Sequence, residues 1–213
     1  MKYTRRQIQE AVQDKGYVYF QSPKGYDVNI IGIRNSSTDG RVTNAFDDLI
    51  TVSYLEPKEE LEEDGTETMV WKYHEFPCTT DPGTHWVKNI LSESGVAILK
   101  PNQYRGSHKI GLHQGKYEAL KQKKPLQVYR DANKDNHYDL IEENIQKGIF
   151  GINIHRATAK SNSKSTRVDR WSAGCQVIAS SADFNTFMQI CSKARGRWGN
   201  SFTYTLINSS DIV

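Results

Sequence analysis

The sequence predicts an α+β protein dominated by strands, folded as one domain over residues 1–213. Short apolar or alternating runs recur along the whole chain and are bounded by Gly, Pro, Asn and Ser turns. Only two or three segments carry the three- and four-residue apolar spacing of a helix. Neither an internal repeat nor a linker-like stretch divides the chain.

Thr4 is placed to cap a helix through Gln7, Ile8, Ala11 and Val12 that ends near Gly16. Strands are then expected at Tyr17–Phe20, Tyr26–Ile33 and Leu49–Leu55, with a turn at Ser22–Gly25 and a polar loop at Asn35–Gly40. The acidic stretch Glu59–Glu67 reads as a solvated hairpin tip, and Thr68–Phe76 resumes a strand. Cys78–Gly83 is expected as a loop. Val96–Leu99 and Lys109–His113 are short strands around a turn-rich Pro101–Gly106, and Tyr117–Gln122 suggests a helical turn. Leu126–Tyr129 and Ile149–Ile154 are strands, Asp183–Ser192 an amphipathic helix, and Phe202–Ile207 a closing strand.

Basic and acidic side chains nearly balance, 28 against 25, and are interleaved. That pattern excludes a nucleic-acid binder built on a basic face. Mean hydropathy is low, at −0.68, and no run is long enough to insert into a bilayer. The basic start Met1–Arg6 is not followed by an apolar region, so no export signal is read and synthesis in a cytoplasm is expected. Three cysteines, Cys78, Cys175 and Cys191, leave at least one thiol unpaired; Cys78 and Cys191 could pair, but nothing requires it.

The richest chemistry lies in Trp171-Ser172-Ala173-Gly174-Cys175-Gln176-Val177, read with Gly151-Ile152-Asn153-Ile154-His155-Arg156. Cys175 follows small residues that let a substrate backbone approach and leave N–H groups for an oxyanion. His155 ends a strand-like run. A thiol needs a base to become a nucleophile, and an imidazole supplies one. The competing reading is a buried small hydrophobe and a hydrogen-bonded core histidine.

These residues resemble the catalytic region of the L,D-transpeptidases of bacterial peptidoglycan, the YkuD-like fold, over about residues 148–190. His155 matches the base, Ser172 the motif serine, Gly174 its glycine and Cys175 the nucleophile. The chain departs from the pattern at Ala173, where the family has a second histidine, at Val177, and at Arg156-Ala157, where the family has Gly-Thr. It is also similar to phage-encoded proteins sharing Gly-x-Asn-Ile-His-Arg and Trp-Ser-Ala-Gly-Cys-Gln-Val. The resemblance implies a β-sandwich core over 96–213, with 1–95 as N-terminal elaboration packed on it. It implies attack by Cys175 on a stem-peptide carbonyl with His155 as base and Ser172 orienting the histidine. The N–H of Cys175, with that of Gly174, would hold the oxyanion. Arg156 and Arg170 become candidates for a substrate carboxylate, Trp171 for a wall of the site, and His113 for a neighbour of it. Peptidoglycan is the implied partner, alongside other virion proteins if the enzyme travels with a virion. No cofactor is implied for catalysis. A hydrolase is expected ahead of a cross-linking transpeptidase, with a non-catalytic wall-binding module as the other alternative.

A second constellation is Asp131, Asn133, Asp135, His137, Asp139 and Glu142, spaced as positions one, three, five, seven, nine and twelve of an EF-hand loop. His137 would give its backbone carbonyl, and Asn136 stands where the left-handed glycine is usual. A structural calcium ion is the expectation; a solvated Asp/Asn-rich turn is the alternative. No His-Glu-x-x-His run supports a zinc hydrolase.

Overall fold

The computed structural model describes residues 2–58 and 68–213. Glu59–Glu67, expected as a hairpin tip, lie outside the described residues. The described residues are mostly β with three helices, as expected. Eight strands close into a barrel in the order β1-β11-β5-β6-β9-β10-β3-β2, and three others form a small sheet, β4-β7-β8. The strands are β1 (Asn29–Arg34), β2 (Asp48–Pro57), β3 (Met69–Thr79), β4 (Val96–Leu99), β5 (Asn102–His113), β6 (Tyr117–Gln122), β7 (Leu126–Asp131), β8 (Gln146–Gly148), β9 (Ile154–Arg156), β10 (Gln176–Ile178) and β11 (Phe202–Asn208). The helices are α1 (Arg5–Asp14), α2 (Thr84–Lys88) and α3 (Ser181–Trp198). Where a sandwich was expected, one closed ring stands beside a separate sheet. The strands of residues 29–79 are members of that ring, β1 pairing with β11 and β3 with β10.

Sequence explains the main elements. Thr4 and Gln7 form a reciprocal capping box that satisfies two first-turn donors of α1. Ile8, Ala11 and Val12 of that helix cover Ile31, Ile33 and Ile207. The principal core joins the alternate face of the ring (Ile30, Val52, Ile110, Ile154, Tyr204) to Leu99 and Val128 of the small sheet and to Phe184, Phe187 and Cys191 of α3. That helix starts at its Ser180 cap and runs to Trp198, beyond the expected end. All three cysteines are free thiols, Cys78 and Cys191 fully buried.

Four local expectations are corrected. Tyr17–Phe20 is not a strand, because side-chain amides take the place of a ladder: Asn29 bonds both the N–H and the carbonyl of Phe20, and Gln103 does the same for Val18. Asn102–Gly106 is strand, with Gly106 at φ 57 near a register shift between β5 and β11. Tyr117–Gln122 is a strand, since Gln114 and Gly115 both adopt left-handed φ and fold β6 back on β5 as a hairpin. Residues 149–153 leave the ladder. The N–H groups of Phe150 and Ile152 both donate to Oε1 of Gln122, at 3.0 Å each.

Candidate active site

The site is built on two parallel strands. β9 and β10 pair with Gln176 opposite Ile154 and Val177 opposite His155. Cys175 immediately precedes Gln176, and alternation places it on the same side of the pair as Asn153 and His155. Strand spacing and rise separate the Cα positions of Cys175 and His155 by roughly 8 Å.

A set of hydrogen bonds fixes the turn that presents the thiol. Ser172 is fully buried; its Oγ donates to the Cys175 carbonyl at 2.8 Å and accepts from Gly174 N–H at 3.1 Å. Its carbonyl accepts from Gly83 N–H. Ser172 therefore shapes the cysteine turn and does not orient His155, as had been expected. Gly174 sits at φ 130, and a Cβ there would lie 2.2 Å from the Ala97 carbonyl oxygen, so only glycine fits. Its N–H is already taken by Ser172, which removes it as an oxyanion donor. The Cys175 N–H has no hydrogen-bond partner among the described residues. Below the turn, buried Gln176 donates to the carbonyls of Gly174 and Thr80 and accepts from Tyr204 Oη.

The Cys175 sulfur receives the Asn153 N–H at 3.5 Å and donates to the Gly151 carbonyl at 3.4 Å. It is half-buried and lines a cavity of about 320 Å³ whose walls include Trp86, Leu91, Ala97, Phe150 and Ala173. Burial pushes the thiol up to about 11, against the smaller opposing effect of the Asn153 N–H. At neutral pH the sulfur is therefore protonated in the resting site.

His155 is buried, and its Nδ1 donates to the Arg156 carbonyl at 2.9 Å, which leaves Nε2 as the basic nitrogen. Its ring stacks on His113 with centroids 4.3 Å apart. Burial first, then the charge of His113, lowers His155 to about 4, against the Arg156 carbonyl. His113 in turn accepts from the Asn153 side-chain amide at 3.2 Å. The structure thus brings Cys175, Asn153, His155 and His113 into one contiguous group. No hydrogen bond joins the sulfur to the imidazole among the described residues, and His155 does not line the cavity.

The other candidates lie further out. Arg156 stacks its guanidinium 4.3 Å over Tyr117, beside a separate depression of about 440 Å³ that also includes Glu118, Phe184 and Met188. Its Nε is buried without a hydrogen-bond partner among the described residues. Arg170 is exposed and contributes a backbone carbonyl that accepts from Trp86 Nε1. Trp171 is exposed and does not line the cavity; Trp86 and Phe150 are its aromatic walls instead. Asn153, Gln176 and Trp86 were missed from sequence. For the first two a signal existed, a lone polar side chain inside an apolar run next to the candidate pair.

In the acidic loop, Asp131, Asn133 and Asp135 form a chain of Asx turns. Each accepts the N–H two residues on, at 3.3, 3.0 and 2.7 Å. Asn133 also donates to Asp139 at 3.2 Å. The left-handed residue is Lys134, not Asn136, whose carbonyl is drawn outward by Val42 N–H. Glu142 is turned away from the loop by Lys100 and Tyr129. Among the described residues no three His, Cys, Asp or Glu side chains already converge on one point.

Among the described residues no helix is long and apolar enough to cross a membrane. No known protein family, curated protein or solved structure matches the chain.

Proposed function

We propose that the chain is a cysteine-dependent hydrolase of bacterial peptidoglycan stem peptides, an L,D-endopeptidase or carboxypeptidase of the phage lysin or virion-associated kind. The observation that carries the chemistry is the Cys175 thiol at the wall of an open cavity, one strand from a histidine whose Nδ1–H is tied down. The resemblance of Ser172-Ala173-Gly174-Cys175 to the L,D-transpeptidase motif supports the choice of substrate.

Both groups are neutral at rest, so the reaction starts from a thiol and an imidazole rather than an ion pair. Substrate entering the cavity displaces the thiol proton from the Gly151 carbonyl toward Nε2 of His155. Sγ bonds to the stem-peptide carbonyl carbon as its proton passes to Nε2. The oxyanion takes the Cys175 N–H. The C–N bond then breaks, and the leaving amine takes the proton from His155. Water, deprotonated by the same nitrogen, attacks the thioester; the acid leaves and the thiol is restored. Ala173, in place of the family's second histidine, favours water over a bound acceptor amine as the second nucleophile.

Mass analysis of purified muropeptides incubated with the protein tests this reading. Shortened or separated stems are expected; new cross-links would make it a transpeptidase. A second reading, a wall-binding module without turnover, draws on the missing sulfur–imidazole hydrogen bond. Sacculus binding with unchanged muropeptides would establish it.

A further inference from the structure

We propose that the loop of residues 131–139 binds one calcium ion, with side-chain oxygens from Asp131, Asn133, Asp135 and Asp139 and the backbone carbonyl of His137. The inference goes beyond the thiol chemistry and does not depend on it.

The spacing alone would describe any acidic turn. What points to a ligand is Asp131, a residue 2% exposed whose Oδ2 is buried with no hydrogen-bond partner among the described residues. Its other oxygen accepts from Asn133 N–H, so the carboxylate is turned into the loop. An unsolvated, uncompensated carboxylate oxygen is costly to keep. The adjacent Arg130 donates to Gln146 and to the Gly95 carbonyl, not to Asp131. The carboxylates of Asp135 and Asp139 repel that of Asp131 as well. A cation placed among these oxygens answers all three problems at once.

The donor set selects the ion. Every donor is oxygen, three are carboxylates, and the loop is held by Asx turns rather than a rigid octahedral frame. That suits a large hard cation that accepts irregular coordination, and suits magnesium poorly. The His137 imidazole lies against Gly40, leaving its carbonyl as the donor. Glu142, bound to Lys100, is not in the set. Binding has a consequence for the cavity. Asp131 pairs with Val96, and the close backbone approach of Gly95 to Asp131 sets the start of β4, which walls the Cys175 pocket.

The test is calorimetric titration of calcium chloride into the chelator-stripped full chain, with thermal melts in calcium and in chelator. One equivalent of calcium is expected to bind and to raise Tm by several degrees. Asp135→Asn and Asp139→Asn, both at solvent-reachable positions, are expected to weaken binding by at least about tenfold while melting like the wild type in chelator. Absence of binding heat and of any Tm change up to millimolar calcium would overturn the proposal. So would undiminished affinity in both variants, or equal affinity for magnesium, which would mark a diffuse acidic patch.

Discussion

The turn at 172–176 and the loop at 131–139 are both short, polar and rich in side-chain-to-backbone hydrogen bonds, yet they solve opposite problems. In the first, almost every polar group is paired internally: Ser172, Gln176, Asn153 and the Gly151 carbonyl close on one another around a protonated thiol. In the second, the backbone is satisfied but carboxylate charge is left over at Asp131. The difference lies in what each region leaves unpaired. The thiol turn leaves the Cys175 N–H, which the proposed mechanism gives to the oxyanion, whereas the acidic loop leaves a carboxylate oxygen, which the proposed calcium ion would take.

Breaking the thiol side at its base has the largest expected effect. His155→Ala should lower sacculus cleavage by about a thousandfold, because the proposed mechanism gives a thiol pushed up to about 11 no base other than His155. Wild-type binding to sacculi should survive, and a variant that still cleaves would remove the histidine from the mechanism. Next is the turn itself. Gly174→Ala sets a methyl against the Ala97 carbonyl at a φ foreign to alanine, and should cost about 3 kcal/mol or more in chemical denaturation. Ser172→Ala leaves the buried Gly174 N–H unpaired and should cost about 2 kcal/mol.

The pH profile of stability sharpens the contrast further. His155 and His108 are both lowered to about 4 by burial. Because the unfolded chain takes up protons first, stability is full above about 6.5. It falls as pH drops toward about 4, by at most about 3 kcal/mol per histidine. A melting temperature flat from pH 7 to pH 4.5 would contradict buried neutral imidazoles. Asp131 has the opposite sign, since its pKa is raised by burial: its destabilisation grows as pH rises past the usual carboxylate range. Asp131→Asn should therefore be as stable as the wild type in chelator, or more stable by up to about 1 kcal/mol. Marked destabilisation in chelator would show that the carboxylate already has its partner.

Much of this was legible in the residues. Thr4 ahead of Ile8, Ala11 and Val12, the strand runs at 49–55 and 68–76, and the apolar stripe of Phe184, Phe187 and Cys191 announce their elements directly. The strand at 117–122 was hidden because its identity depends on the left-handed pair Gln114-Gly115 and on pairing with β5, neither of which a local pattern reveals. Tyr17–Phe20 carries strand-like residues, but the side chains of Asn29 and Gln103, not a neighbouring strand, take the backbone groups of Phe20 and Val18. At the site, Cys175, His155 and His113 are brought together from sequence-distant positions. The role of Ser172 could not be read from the motif, because its hydroxyl turns back onto its own turn. Ring closure also escaped the sequence: it needs β1 beside β11, and no local signal records so distant a parallel pairing.

The most direct test of the account is mass spectrometry of peptidoglycan sacculi digested in parallel by the wild type and by Cys175→Ala. The account predicts shortened stem peptides from the wild type and intact ones from the variant, with both proteins melting at the same temperature. Equal digestion by the two, or no digestion by a folded wild type, would contradict it.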